Sequence, residues 1–341
     1  LQGFGQRFGL DYFETYAPTI SDTLLKLILT LGCVLKLECY CYDFTTAFLN
    51  ANLDIPVYTR PPKWFKLPER TLLKIVKAVY GLKQSPKLWS DLLLKTLREI
   101  RGVNLKQSNF EQCLLFDIND SYKLFIIFWV DDLLIFGDDK NIVEKIEKEL
   151  SSRFKLKHLG GLKKFLQLRI EYIPGKCVEI DQIEYIDTKL DEYGFSDESV
   201  CKTRSTPLDS KFIERSKLPY ESIAPTPIQQ KLGSALYLAV RTRPDIMAYC
   251  QMLAVYASNP NTYIEEQVVW LWGYIKKTKR EKLVIGGVPA QKDLLAVCDA
   301  SHIEDPFFGW RRGCTVLYLN GGCIGFKSEN LANKTNSSTG S

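Results

Sequence analysis

Two adjacent carboxylates interrupt a strongly apolar stretch of the sequence. Asp131 and Asp132 separate the runs 124–130 and 133–136, which predict two β-strands joined by a hairpin-like turn. Burying an unpaired carboxylate is costly, and two neighbouring carboxylates repel each other, so such a turn requires compensation. A divalent cation is the usual compensation. An exposed acidic turn without a ligand is the alternative.

A third carboxylate, Asp43, ends the strand that is predicted over residues 35–44. Taken alone, Asp43 also fits the N-cap of a following helix. Together with Asp131 and Asp132 it provides three carboxylates from strand ends. Oxygen ligands of this kind suit two Mg²⁺ ions, which can activate a 3′-hydroxyl group and stabilise a leaving pyrophosphate.

The composition bears on the kinds of partner, catalytic site and membrane association that this chain can have. With 45 basic and 40 acidic residues, the net charge of +5 permits a polyanionic partner without requiring one. Only two histidines are present, which argues against a His-centred triad. The ten cysteines form no CxxC pair, which favours reduced and mostly buried thiols. No run of about 20 apolar residues predicts a membrane span. The absence of an initiator Met leads us to expect a fragment or a processed product.

Helical and strand periodicities alternate along the chain and predict an α+β protein. Helices are expected at 21–32, 85–100, 141–150, 231–241, 246–257 and 263–278, and short strands at 165–172, 294–298, 313–319 and 323–326. Ser85, followed by Pro86, and Asn141 are the expected N-caps. The proline-rich residues 60–70 and 203–229 predict loops.

Several longer motifs resemble those of one family. In chain order they are DYFETYAP at 11–18, YDFTTAFLN at 42–50, AVYGLKQSPKLW at 78–89, FWVDDLL at 128–134, LGGL at 159–162, STPL at 205–208, GSALYL at 233–238 and TRPDI at 242–246. Together they resemble the reverse transcriptase of copia-type (Pseudoviridae) LTR retrotransposons, followed by the start of its ribonuclease H domain. The resemblance covers nearly the whole chain and is much more specific than an isolated Asp-Asp pair.

The resemblance implies the fold of a right-hand reverse transcriptase polymerase. Residues 1–180 would form the fingers and palm, residues 181–290 the thumb and connection, and residues 291–341 a partial ribonuclease H-like domain.

Within that last region, Asp299 of the segment VCDAS at 297–301 matches the first catalytic carboxylate of a ribonuclease H. Residues 337–339 resemble the turn before the first helix of that fold. The sequence stops at Ser341, before the matches to the other catalytic carboxylates. A single carboxylate cannot organise two metal ions, so we expect no ribonuclease H activity and only a vestigial role for Asp299.

The resemblance also implies roles for individual residues of the polymerase. Asp43, Asp131 and Asp132 would be the catalytic, metal-binding carboxylates, holding two Mg²⁺ ions, with Mn²⁺ as a substitute. The ring of Phe48 would be the steric gate that excludes the 2′-hydroxyl group of ribonucleotides. The residues expected to contact template and primer are Lys83, Gln84, Trp129, Gly160 and Gly161. For Phe48 and Gln84, ordinary packing is the alternative.

The leading hypothesis is therefore a DNA polymerase that copies RNA and DNA templates by two-metal transfer of a nucleotide to a primer 3′-hydroxyl group. Trp129 stands where the family usually has Tyr. A catalytically inactive retrotransposon remnant that only folds or binds nucleic acid is accordingly the alternative. A metal-dependent nuclease or phosphatase, the third possibility, would not need a sugar gate such as Phe48.

The partners that the resemblance implies are an RNA template, a DNA primer/template and dNTPs. Other segments of a Pol polyprotein, a protease and an integrase, would be further partners, and no membrane partner is expected. The family also implies assembly in cytoplasmic virus-like particles and later nuclear entry of the product. The sequence leaves the oligomeric state open.

Overall fold

The computed structural model describes residues 3–62, 64–68, 70–216, 218–286, 293–300 and 311–331. The chain divides into two compact units. The first unit consists of Leu1–Ser21 and Lys36–Leu162, and the second of Asp22–Leu35 and Lys163–Ser341.

The helices are α1 (Asp22–Val34), α2 (Ser85–Arg98), α3 (Lys140–Arg153), α4 (Ile183–Glu192), α5 (Phe212–Arg215), α6 (Pro225–Arg241), α7 (Met247–Ala254) and α8 (Thr262–Lys277). Short 3-10 helices occupy Gly3–Gly5, Ala47–Asn50 and Pro244–Ile246. The strands are β1 (Glu38–Phe44), β2 (Asn52–Thr59), β3 (Leu73–Lys77), β4 (Lys106–Gln107), β5 (Leu114–Ile118), β6 (Lys123–Trp129), β7 (Asp132–Gly137), β8 (Leu156–Gly161), β9 (Lys164–Phe165), β10 (Leu168–Ile173), β11 (Cys177–Asp181), β12 (Leu283–Ile285), β13 (Leu294–Ala300), β14 (Arg311–Leu319) and β15 (Gly322–Leu331).

A six-stranded antiparallel sheet forms the centre of the first unit, in the order β4-β5-β6-β7-β1-β8. Successive residues of the central strands β6 and β7 are buried on both faces. A strand of this kind needs apolar residues at consecutive positions, which explains the two apolar runs. Trp89 of α2 packs edge-on against Phe44 and Phe154, with ring centroids 5.0 and 5.2 Å apart. The antiparallel pairing of β6 with β7 in this sheet confirms the predicted hairpin.

The starts of two helices differ from the prediction. Gln84, not Ser85, precedes the first residue of α2, and the Ser85 hydroxyl donates to the Val79 carbonyl at 2.8 Å. The N-cap of α3 is Asp139, whose carboxylate accepts from the Asn141 backbone N–H at 2.8 Å. Both expected caps were wrong by one or two positions. At α3 a second capping residue, Asp139, precedes Asn141, whereas α2 has no side-chain cap because the Ser85 hydroxyl binds the Val79 carbonyl instead.

The second unit combines helices with two small antiparallel sheets, in the orders β12-β11-β10-β9 and β13-β14-β15. Helices α4, α6, α7 and α8 contribute to one apolar core that includes the fully buried Trp272. The loop that was predicted over 203–229 contains the short α5 and the first turn of α6.

Residues 165–172 do not form the single strand that their pattern predicts. Leu166 and Gln167 have φ angles of 49° and 65°, and the chain reverses there, so that Phe165 of β9 pairs with Leu168 of β10. Left-handed backbone at two residues that are not glycine has no signature in a hydrophobic pattern.

The three short strands predicted near the C-terminal end are confirmed as β13, β14 and β15. Residues 337–339, where the turn of a ribonuclease H fold is expected, lie outside the described residues. The two compact units follow different boundaries from the predicted regions 1–180, 181–290 and 291–341, whose functional assignment stays a prediction.

All ten cysteines are free and six of them are buried, as expected for reduced thiols. Within the described part of the chain, no helix combines the length and the apolarity that a bilayer crossing requires.

Candidate active site

The register of two neighbouring strands brings the predicted carboxylates together. Strands β1 and β7 pair antiparallel with Asp43 directly opposite Asp132. The Phe44 backbone N–H donates to the Asp131 carbonyl at 2.7 Å, which extends this pairing into the turn. Side chains directly opposite each other in an antiparallel pair lie on the same face of the sheet. Asp43 and Asp132 therefore lie side by side, with Asp131 at the adjoining turn.

The turn between β6 and β7 is tight and strained. Trp129 pairs with Asp132, so that only Val130 and Asp131 form the loop. Val130 has a φ of 49°, a conformation that costs a β-branched residue about 1–3 kcal/mol. The indole N–H of Trp89 donates to the Val130 carbonyl at 2.6 Å and stabilises this conformation. Trp89 ends the motif AVYGLKQSPKLW, but its role at the turn has no sequence signal.

The electrostatic environment of the carboxylates is unfavourable in the absence of a cation. All three are half-buried. Burial raises the pKa of Asp131 above its ordinary value, and the neighbouring Asp43 raises it further. Burial likewise raises the pKa of Asp132, with added repulsion from Asp43 and Asp131. No basic group among the described residues offsets this repulsion at Asp131 or Asp132.

These residues offer the oxygen ligands of a hard cation. Across the described ranges, no group of three or more His, Cys, Asp or Glu side chains has the arrangement of a metal site. However, Mg²⁺ commonly binds one or two carboxylates and completes its coordination with water and substrate phosphates. Half-buried carboxylates with uncompensated negative charge fit that mode of binding.

Phe48 lies in the 3-10 helix Ala47–Asn50, which follows β1. Its side chain is buried, and its ring centroid lies 5.2 Å from that of Tyr80, whose side chain is exposed. The residue before this helix, Thr46, has a φ of 54°. Among the described residues, Thr46 and Val130 are the β-branched residues with positive φ, and both lie within three positions of a site carboxylate. Tyr80 lies in the motif AVYGLKQSPKLW at 78–89, but the sequence does not predict its contact with Phe48.

Lys83 and Gln84 bind the N-terminal segment of the first unit. The Gln84 side chain is 1% exposed; its amide N–H₂ donates to the Asp11 carbonyl, and its oxygen accepts from Gln6, both at 2.9 Å. The Gln6 side-chain oxygen accepts from the Lys83 backbone N–H at 2.8 Å. The Lys83 ammonium group lies 4.9 Å from the centroid of the Tyr12 ring. The structure thus gives Gln84 a packing role, and its expected contact with the template stays a prediction.

The comparisons with known proteins agree with this geometry. A family model described as "Reverse transcriptase (RNA-dependent DNA polymerase)" matches residues 1–209. The chain belongs to the reverse transcriptase family. Its relatives include the Pol polyproteins of copia-type transposons from plants and yeast.

Two of these relatives define the extent of the similarity. The chain is 28% identical over 342 residues to the retrovirus-related Pol polyprotein from transposon TNT 1-94 of Nicotiana tabacum. This alignment covers 96% of this chain and 25% of the tobacco protein. It is 30% identical over 297 residues to a putative transposon Ty5-1 protein of Saccharomyces cerevisiae. This alignment covers 85% of this chain and 92% of the yeast protein. This reverse transcriptase chain thus spans about a quarter of the tobacco polyprotein.

The other residues predicted to contact template and primer, Trp129, Gly160 and Gly161, lie on the same six-stranded sheet of the first unit. Gly161 and Gly160 of β8 pair with Tyr40 and Cys41 of β1, and the register shifts by one position beside Tyr42. Both glycines are exposed, and Gly160 has a φ of 86°, which favours glycine. They lie on the strand beside the one that carries Asp43, and Trp129 is the cross-strand neighbour of Asp132.

Asp299 belongs to the second unit. It lies in β13 opposite Cys314 of β14, and its side chain is exposed. The vestigial ribonuclease H role of Asp299 remains a prediction.

Proposed function

We propose that this reverse transcriptase chain is a templated DNA polymerase that extends a DNA primer on RNA and DNA templates. The observation that carries the proposal is the pairing of Asp43 with Asp132 across β1 and β7, with Asp131 in the adjoining turn. In the reaction, the primer 3′-oxygen would attack the α-phosphorus of a dNTP. The bond from that phosphorus to the leaving pyrophosphate would break, and the 3′-hydroxyl proton would pass to solvent.

In this proposal Asp43, Asp131 and Asp132 hold two Mg²⁺ ions, with Mn²⁺ as a substitute. When bound, these ions would lower the pKa of the primer hydroxyl and neutralise charge on the pyrophosphate. The pairing of β1 with β7 holds the half-buried Asp43 and Asp132 side by side, and the strained turn holds Asp131 beside them. The buried ring of Phe48 would leave no room for a ribose 2′-hydroxyl.

The wider assignments belong to the same proposal. The first unit would supply the fingers and palm, with Gly160, Gly161 and Trp129 near the primer end. The second unit would supply most of the thumb and connection. The names of the relatives support an origin in a Pol polyprotein that also carries other segments. Assembly in cytoplasmic particles is part of what we propose for that polyprotein.

Primer extension tests the proposal directly. The substrate is poly(rA)/oligo(dT) with dTTP and Mg²⁺, and the variant is Asp131→Asn. We expect the extension rate of the variant to fall at least about a hundred-fold, because the substitution removes a negatively charged carboxylate that would hold the Mg²⁺ ions. The matched control is Asp120→Asn, at an exposed acidic residue outside the site, which should extend like the wild type.

Two results would contradict the proposal. Wild-type protein that binds duplex in a salt-dependent way without extending it would instead support the inactive remnant. Equal extension by the wild type and Asp131→Asn would show that these carboxylates do not carry the reaction.

A further inference from the structure

The β2–β3 hairpin of the first unit concentrates positive charge. Residues 52–77 contain six basic residues and two acidic ones, a net charge of +4, against +5 for the whole chain. The basic residues are Arg60, Lys63, Lys66, Arg70, Lys74 and Lys77, and the acidic ones are Asp54 and Glu69. Arg60, Lys66, Arg70 and Lys74 form no ion pair with another residue that the structure describes. Their charge is therefore available to an external anion.

The same hairpin exposes aromatic rings beside these cations. Trp64, in the loop between the strands, is 80% exposed and contacts Phe65 edge-on, with ring centroids 5.8 Å apart. On the strands, Tyr58 lies directly opposite Lys74, and both side chains are exposed. Residues directly opposite in an antiparallel pair share one face of the sheet. An aromatic ring and an ammonium group thus stand next to each other on the solvent face.

This combination fits one class of ligand. Exposed aromatic rings provide stacking surfaces for unpaired bases, and neighbouring cations neutralise the phosphates between them. A duplex offers its phosphates but not its base faces. A purely apolar protein surface would gain nothing from four cations that have no ion-pair partner among the described residues. The charge and the rings together favour single-stranded nucleic acid.

The root of the hairpin joins the candidate active site. The Ala78 N–H donates to the Ala51 carbonyl at 2.9 Å. Phe48 precedes Ala51 by three positions, Tyr80 follows Ala78 by two, and the two rings contact each other. The paired part of the hairpin runs from Asn52 and Lys77 at the root to Thr59 and Leu73 below the loop, which is four steps along β3 or roughly 14 Å. At about 3.4 Å per stacked nucleotide, roughly four nucleotides would cover that distance.

We propose that the β2–β3 hairpin binds the unpaired template strand ahead of the primer, with Trp64 stacking on its bases and Lys74 contacting its phosphates. The identification of that strand as template rests on the proposed polymerase function. The affinity for single strands does not rest on it, and it can be measured without Mg²⁺ or dNTPs.

Fluorescence anisotropy with the full chain tests this surface. The probes are a labelled 20-nucleotide single strand and two labelled duplexes with 5′ overhangs of 2 and 14 nucleotides. We expect Trp64→Ala to weaken binding of the single strand and of the 14-nucleotide overhang about ten-fold. Binding of the 2-nucleotide overhang should change less than about two-fold, because it is too short to reach the loop. Since Trp64 is exposed, its removal leaves the core intact.

The matched control for Trp64→Ala is Phe110→Ala, at an aromatic residue of the same unit that is 97% exposed and lies outside the hairpin. For the charge, Lys74→Gln should reduce the slope of log affinity against log salt by about 0.7 on the single strand. Lys148→Gln, an exposed change on α3, should leave that slope unchanged.

Three results would overturn the proposal: equal affinities of Trp64→Ala and Phe110→Ala for the single strand, equal losses on both overhangs, or a changed oligomeric state in sedimentation with unchanged nucleic-acid binding. The last result would assign the hairpin to contacts between copies of the chain. Extension that fails while overhang binding still depends on Trp64 would reject the polymerase and retain the binding surface. Normal extension together with unchanged overhang binding in Trp64→Ala would reject the binding surface and retain the polymerase.

Discussion

In the first unit, the β6–β7 hairpin has a two-residue turn and strands that are buried on both faces, whereas the β2–β3 hairpin has a loop over residues 60–72 and largely exposed strands. Among the residues that the structure describes, the β6–β7 hairpin carries carboxylates with no basic partner, and the β2–β3 hairpin carries cations with no acidic partner. The two thus have opposite charge as well as opposite burial.

The difference in construction matches a difference in task. Carboxylates that must converge on one reaction centre need a fixed register, which a short turn and buried strands provide. A surface that follows a flexible single strand of any sequence needs reach and adaptable contacts, which a long loop with cations and rings provides. The comparison therefore predicts that changes at β6–β7 affect chemistry and that changes at the β2–β3 loop affect binding.

The largest effect on nucleotide selectivity is expected at the root of the β2–β3 hairpin, where Phe48 lies. Replacing Phe48 with Val removes the ring that would exclude a 2′-hydroxyl group. We expect incorporation of rNTPs relative to dNTPs to rise about ten- to a hundred-fold in single-nucleotide extension. Phe110→Val is the control for loss of an aromatic ring elsewhere. Unchanged selectivity in Phe48→Val would leave Phe48 as a packing residue beside Tyr80.

A smaller effect is expected at the turn of β6–β7. Trp89→Phe keeps an aromatic ring in the core but removes the indole N–H that binds the Val130 carbonyl. Loss of this hydrogen bond should cost about 1–2 kcal/mol locally. Hydrogen exchange at the Phe44 amide, which donates to Asp131, should accelerate about 5- to 30-fold.

The control for this change is Trp270→Phe, which loses an indole bond to the Thr206 carbonyl in the second unit. Exchange at Phe44 should be unaffected by it. If Trp89→Phe also leaves this exchange unchanged, Trp89 does not stabilise the turn.

Much of the β6–β7 hairpin was predictable because its information is local. The apolar runs on both sides of Asp131-Asp132 define the strands and the turn, and burial of both faces leaves no other register. The pairing of Asp43 with Asp132 could not be obtained in this way, because it joins strands that are about 90 residues apart in the sequence. Their positions at predicted strand ends suggested a shared site, and the resemblance of whole motifs to one family made that expectation specific.

Other contacts of the site have no local signature at all. The hydrogen bonds from Gln84 to Asp11 and from Gln6 to Gln84 connect residues more than 70 positions apart. The positive φ values of Val130 and Thr46 run against the preferences of those residue types, so propensity would assign them to extended backbone. Such strained positions cluster at functional sites, where local rules fail and the surrounding packing determines the conformation.

The smallest effect is expected for an insertion in the long loop. Adding Gly-Gly between Phe65 and Lys66 lengthens a loop of residues 60–72, and the added closure entropy is only about 0.1 kcal/mol. Exchange at the Phe44 amide and extension of a primer with a 2-nucleotide overhang should match the wild type. The same insertion between Val130 and Asp131 would separate Trp129 from its partner Asp132 and move Asp131 away from Asp43, so extension should be lost. Similar losses from both insertions would mean that the β2–β3 loop is as constrained as the β6–β7 turn, and the contrast between adaptable and fixed hairpins would fail.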